Sequence, residues 1–177
     1  KGDGIVVAVV DDGLDFSHKD IKDNIYTNLA ELNGVAGVDD DNNGYIDDIN
    51  GWNVVDNDNV ADDHPLANGN IFSHGTQVSG VICATGNNQF GISGAAPLAK
   101  VLPVRCVSSS ATLSDAGYIY NGYEGIAYAI AAGADIINLS WGGPRHVPDM
   151  LGSIPHMVIQ EAQARGILVV VASGNGK

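Results

Sequence analysis

Ile5 to Val10 (IVVAVV) is an unbroken apolar run, β-branched at all but one position. A run with no polar alternation suits a strand covered on both faces, as in a parallel sheet. It stops abruptly at Asp11-Asp12-Gly13. Three further strands are expected at 101–107, Asp135–Leu139 and Ile167–Val171. Helical segments separate them. One follows His74. Another is capped by Thr112 or Ser114 and runs to about Ala132, with Gly133 as its stop. A third spans Pro148 to Arg165 and ends at Gly166. Strands alternating with helices imply right-handed crossovers, so the expected fold is α/β, with three layers and helices on both faces of a mostly parallel sheet. At 177 residues the chain is expected to form one domain, interrupted by a long Asp/Asn/Gly-rich insertion at about 28–70.

In such sheets ligands bind beyond the carboxyl ends of the strands. Three strand ends carry polar or tightly turning residues: Asp11, then Ser140-Trp141-Gly142, then Ser173-Gly174-Asn175. The stretch Ser73-His74-Gly75-Thr76-Gln77-Val78-Ser79-Gly80 opens a helix that reaches the same rim. Val78, Val81 and Ile82 are spaced to form its buried face, and Ser79 and Gly80 leave room for a neighbouring backbone. A histidine pinned there suits proton transfer, because its ordinary pKa lies nearest neutrality. A buried carboxylate can fix an imidazole's tautomer, and a side-chain amide can donate to a developing oxyanion. Asp11, His74 and Asn175 therefore supply three of the four parts of an acyl-transfer site. Asp12, His18, His64, His146 and His156 are read as structural or surface residues.

Four segments in this order resemble the motifs of subtilisin-like serine proteases. They are Val9-Val10-Asp11-Asp12-Gly13, His74-Gly75-Thr76-x-Val78-x-Gly80, Ser140-Trp141-Gly142 and Ala172-Ser173-Gly174-Asn175. The chain is identified as the N-terminal two-thirds of such a catalytic domain. The resemblance implies that Asp11 orients the base, His74 acts as general base and then acid, and Asn175 holds the oxyanion. It further implies that Ser140, Trp141 and Gly142 pair with an extended peptide. Ala172, Ser173 and Gly174 would line a roomy, mostly apolar pocket for the residue before the scissile bond. The serine nucleophile is expected on the remainder of the domain, so these 177 residues alone should be inactive. The alternative is a non-catalytic relative that binds peptide or calcium. A nucleotide-binding domain is disfavoured, because no glycine-rich phosphate loop follows the first strand.

Charge narrows the partners further. With 8 Lys+Arg against 21 Asp+Glu the net charge is −13, so neither nucleic acid nor an anionic membrane is an expected partner. No apolar run reaches the length of a membrane span. Nine Asp and no Lys or Arg fall between Asp39 and Asp63. Asp39, Asp41, Asn43, Tyr45 and Asp47 copy positions 1, 3, 5, 7 and 9 of an EF-hand loop, with Gly44 at its sixth place. The loop departs at its twelfth position, where Asn50 replaces a bidentate Glu. The family resemblance implies a second calcium site formed by Asp20, the Asn88 side chain and the carbonyls of Phe90 and Ile92. No organic cofactor is expected. Cys83 and Cys106 are read as two buried thiols, and the protein is expected outside a bacterial cell or in its envelope.

Overall fold

The computed structural model describes residues 1–63, 73–115, 117–142 and 153–175. Five strands form one parallel sheet: β1 (Val6–Asp11), β2 (Trp52–Asn53), β3 (Lys100–Arg105), β4 (Ile136–Leu139) and β5 (Leu168–Val171). Their order across the sheet is β2-β3-β1-β4-β5, so β1 lies at the centre. Its residues Val7 and Val9 face one side of the sheet and Ala8 and Val10 the other; all four are buried. That is why the opening run shows no alternation.

Helix α2 (His74–Cys83) covers the first face, where Val9, Leu14, Ile21, Cys83 and Val101 pack together. The other face packs under α3 (Gly122–Ala131) and α4 (Ile154–Ala164), with Val10, Leu102, Val104, Ile126, Tyr128 and Ile137 at its centre. The three-layer α/β expectation holds. Gly125 brings α3 close to the sheet, since a Cβ there would meet Val10 Cγ1 at 2.7 Å. Pro103 fits inside a central strand because β2 pairs only with Val104 and Arg105, leaving no ladder bond for the missing N–H to make.

Several element boundaries depart from the sequence reading. The helix expected from Thr112 or Ser114 begins only at Gly122, after a left-handed Asn121 with φ 52°. Thr112 instead shares hydrogen bonds with Asp115 across a short 3₁₀ turn. The stop at Gly133, with φ 77°, is as read. Of the helix expected from Pro148, the described part begins at Ile154; 148–152 lie outside the described residues. The acidic insertion is not wholly irregular. It holds α1 (Leu29–Asn33) and β2, and is tied to the core by Asp48, which accepts hydrogen bonds from Asn28, Asn43 and the Tyr128 hydroxyl. Tyr45 packs edge-on to Trp52 and Tyr128, with ring centroids 5.2 and 4.7 Å apart. Cys83 and Cys106 are free, buried thiols on opposite faces of the sheet.

The buried face of α2 differs from the one expected. Gly75, Thr76, Ser79, Gly80 and Cys83 face inward, whereas Val81 is 64% exposed and Val78 and Ile82 are half-buried. The helix start crosses the end of β1 most closely at Gly75. Gly75 makes that approach possible, since a Cβ there would overlap the Gly13 carbonyl oxygen. Of Ser79 and Gly80, expected to leave room for a neighbouring backbone, both are buried, but a Cβ at Gly80 would meet only Ile21 Cδ1, at 3.7 Å.

Candidate active site

Parallel pairing puts the carboxyl ends of all five strands on one rim. Asp11 is the last residue of β1 and is 1% exposed. His74 is the first residue of α2, and its Nδ1 lies 2.8 Å from Asp11 Oδ1 and 3.0 Å from Oδ2. With Asp11 ionised, Nδ1 carries the proton and donates, leaving Nε2 as the free basic nitrogen. The imidazole side chain is 55% exposed, so that nitrogen is open to an incoming group.

The electrostatics suit a base. Burial pushes the Asp11 carboxyl up, to about 6, against the lowering effect of the hydrogen bond from His74. Burial alone would lower the imidazole's pKa, but the hydrogen bond and charge of Asp11, with the charge of Asp12 behind it, raise it. Because the two groups share one hydrogen bond, they take up a proton as a pair. The bond from Nδ1 and the attraction between the two groups favour keeping the proton on the imidazole and the charge on Asp11.

The residues around His74 hold it from three sides. Asp12 Oδ2 accepts from the His74 backbone N–H at 3.1 Å, and Oδ1 accepts from that of Gly75 at 2.6 Å. The Thr76 hydroxyl accepts from the Asp15 N–H at 2.9 Å and donates to Asp63 Oδ2 at 3.1 Å. Asp12, expected to be a structural or surface residue, is structural: it is buried and caps the start of α2. No local signal marks it, because its partners lie 62 and 63 residues further along the chain.

The remaining site residues lie along the same rim. Ser140, Trp141 and Gly142 follow β4, next to β1. Among the described residues no group takes their backbone N–H or C=O. The Trp141 indole donates to the Val10 carbonyl at 2.8 Å, which fastens the segment to the end of β1. Ala172, Ser173, Gly174 and Asn175 follow β5 and are exposed. β5 is two strands from β1, roughly 10 Å away at ordinary strand spacing. Asp11 and His74 are thus in direct contact, while Asn175 follows the strand at the edge of the same rim.

The two cation candidates differ. Asp20 does meet the 88–92 loop, but its Oδ1 accepts from Asn88 Nδ2 at 2.6 Å and its Oδ2 from the Ile92 N–H at 3.0 Å. The Asn88 amide beside it holds the Asp20 carboxyl below the usual carboxylate range. Both oxygens of the Asp20 carboxylate are thus paired with protein donors. In the acidic insertion, oxygens of three carboxylates, Glu31, Asp39 and Asp41, gather within 4.8 Å of one another, and these too accept from nearby N–H groups. Asn50, at the loop's twelfth place, turns away to donate to the Tyr26 carbonyl at 2.7 Å. Glu31 comes in from α1 instead, only 3% exposed, its oxygens accepting from the N–H groups of Asp40, Asp41 and Asp47. Sequence spacing missed it because it precedes the loop. Asp47 Oδ2 is turned toward the Gly37 N–H, and Asn43 Oδ1 accepts from the Tyr45 N–H.

A buried carboxylate at the end of a central parallel strand, bonded to an exposed histidine that opens a helix, is the arrangement of an acid–base pair in a hydrolase with the α/β fold. The subtilase family's sequence profile matches residues 2–177, and the chain belongs to that family. It is 39% identical over 170 residues to subtilisin-like protease 1 of Plasmodium berghei, covering 96% of this chain and 26% of that protein. It is 34% identical over 175 residues to the major intracellular serine protease of Bacillus subtilis, covering 99% of this chain and 44% of that protein. Among solved structures it superimposes on fervidolysin from Fervidobacterium pennivorans, described as a keratinolytic enzyme related to subtilisin. The TM-score is 0.68 at 25% identity, over 99% of this chain and 22% of that one. A protease of Pseudoalteromonas arctica gives a TM-score of 0.59 at 30% identity, over 98% of this chain and 50% of that one. The chain therefore spans less than half the length of these curated relatives. Since one of them is an intracellular enzyme, family membership assigns no compartment. Among the described residues no helix is long and apolar enough to cross a membrane.

Proposed function

We propose that the protein containing this chain is a serine endopeptidase working through an Asp11–His74–serine triad, with Asn175 donating to the oxyanion. The observation that carries the reading is the 2.8 Å bond between a buried Asp11 and the Nδ1 of an exposed His74. His74 Nε2 takes the proton from a serine hydroxyl as it attacks the scissile carbonyl, then returns it to the leaving amine. Asp11 stays ionised and stabilises the imidazolium between the two steps. The substrate is an extended peptide that adds as a strand along Ser140, Trp141 and Gly142, whose backbone groups have no partner among the described residues. Ala172, Ser173 and Gly174 line the pocket for the residue before the cleaved bond, and their small size favours broad specificity with a preference for large apolar side chains.

The serine belongs to the remainder of the domain, which packs along β5. Leu168 and Val171 are each 58% exposed, and Ile154 and Met157 on α4 are 65% and 57% exposed, an apolar surface suited to such cover. We propose calcium as a structural ion at the Glu31, Asp39 and Asp41 oxygens, where clustered charge has no basic side chain nearby in sequence. There it would fix the insertion and take no part in the chemistry. Calorimetric titration should show Glu31→Gln weakening calcium binding tenfold or more, and an unchanged affinity would remove that assignment.

The central test uses the full-length protein. It should label with a fluorophosphonate probe and cleave a chromogenic peptide, and His74→Ala should abolish both. The 177-residue chain alone should not label. A full-length protein that binds peptide without labelling would be a non-catalytic scaffold instead.

A further inference from the structure

We propose that Asp12 is a positioning residue for His74: its carboxylate holds the first two backbone N–H groups of α2, one on each oxygen, and so sets the place of the ring that Asp11 orients. The inference rests on the hydrolytic role proposed for His74.

A helix start leaves its first N–H groups without partners, and a Ser, Thr, Asp or Asn at the N-cap ordinarily supplies one. Here Ser73 occupies that position and does not do so. Its φ and ψ of −135° and 10° lie outside the usual capping geometry, and its hydroxyl accepts from the Gln77 side chain instead, at 3.1 Å. The cap comes from Asp12, which is 8% exposed and stands next to the residue that binds the imidazole. Two consecutive carboxylates at one strand end therefore divide a single histidine between them. Asp11 takes the ring and Asp12 the backbone.

The consequence is geometric. Asp11 and Asp12 share a peptide bond, and Asp11 Oδ1 also accepts from the Asp12 N–H at 2.9 Å. Ring and backbone of His74 are both referred to this one rigid element, at the end of the central strand. Small displacements of a base from its working position reduce rate steeply, so a device that fixes the backbone of the base acts on turnover rather than on substrate affinity. The same carboxylate adds negative charge beside the ring. The charged groups that bear on the imidazole are Asp11 and Asp12; the first and last turns of α2 carry no acidic or basic residue, and Asp15 and Asp63 engage Thr76.

The test compares Asp12→Ala and Asp12→Ser in the full-length protein, with rates taken per active site titrated by an irreversible inhibitor. Alanine should lower kcat about tenfold or more with KM within about twofold of wild type. Serine, which retains an acceptor for one N–H, should recover most of that loss. Both remove the charge, so both should shift the acidic limb of the kcat/KM profile to lower pH, by roughly 0.3 to 1 pH unit. Histidine NMR titration of the His74 ring should give the same shift without turnover, and it serves if the alanine variant is poorly folded. A wild-type kcat in Asp12→Ala, an unmoved imidazole titration, or a rate loss that serine fails to restore would overturn the proposal. Failure of the hydrolytic reading gives a different result: hydrolysis persists in His74→Ala, or the wild-type protein has none.

Discussion

Replacing Gly75 by alanine isolates the contact on which the site's geometry depends. A Cβ at this position would overlap the Gly13 carbonyl oxygen and stand 3.1 Å from both Asp11 Cβ and Asp12 Oδ1. Two of those three atoms are backbone or adjoin it, so no flexible side chain can swing aside. Restoring ordinary contact requires the start of α2 to withdraw from β1 by on the order of 1 Å. His74 precedes Gly75 directly, so its Nδ1 would leave the 2.8 Å bond to Asp11. A base misplaced by about 1 Å loses on the order of 100-fold in rate, and overpacking of this kind costs about 1–3 kcal/mol of stability. Gly80→Ala is the internal control. Only Ile21 Cδ1 lies near, at 3.7 Å, so the added methyl fits and helix propensity favours alanine by about 1 kcal/mol. Peptide hydrolysis and thermal unfolding of both full-length variants should therefore move in opposite senses: Gly75→Ala slow and less stable, Gly80→Ala fully active and slightly more stable. A Gly75→Ala protein with wild-type kcat/KM and melting temperature would refute the argument.

Asp63 offers a pH-dependent test. Its carboxyl is raised from 3.8 to about 6, chiefly by burial, with the charges of Asp15, Asp62 and Asp12 adding to the shift. Because the folded state holds this proton more tightly than the unfolded chain, the group's contribution to stability is present below pH 3.8 and is lost as pH rises through about 6. Asp63→Asn keeps an acceptor for the Thr76 hydroxyl, so it should raise stability at pH 7.5 by on the order of 1–2 kcal/mol and leave it nearly unchanged at pH 4. Melting curves with no gain at pH 7.5 would contradict this. Arg105, 1% exposed, donates to the carbonyls of Val107, Asp62 and Ser108 and so joins the end of β3 to the segment before α2. Arg105→Met removes all three bonds, but the Val107 carbonyl keeps the Asn53 amide at 3.4 Å and the Ser108 carbonyl keeps the Ala111 N–H at 3.0 Å. The change should cost about 1–3 kcal/mol in denaturant unfolding, and no measurable loss would show the Asp62 carbonyl finding another partner.

What could be read from the chain beforehand was whatever is local and periodic. The apolar run at Ile5–Val10 and the later strands gave the parallel sheet, because burial on both faces leaves its mark residue by residue. Asp11 and His74 could be paired from strand polarity and the motif around each. The face of α2 could not, because the space available is set by the approach of β1, which Gly75 alone hints at. Asp12 and Glu31 escaped for a related reason. Each acts on groups that only folding brings near: Asp12 on the His74 and Gly75 N–H groups, Glu31 on those of Asp40, Asp41 and Asp47. Asp20 does lie against the 88–92 loop, and the donors that Asn88 and Ile92 turn toward it are set by the fold of that loop.

The aromatic trio under the acidic insertion makes that segment optically visible. Trp52 is one of only two tryptophans, is 6% exposed, and meets the ring of Tyr45, which belongs to the insertion itself. Any tightening or loosening of the insertion is transmitted through Tyr45 to a sheltered indole, so intrinsic fluorescence follows the state of this segment with no attached dye. Replacing Trp141 by phenylalanine would leave Trp52 as the sole tryptophan, so excitation at the red edge of indole absorption would report on it alone.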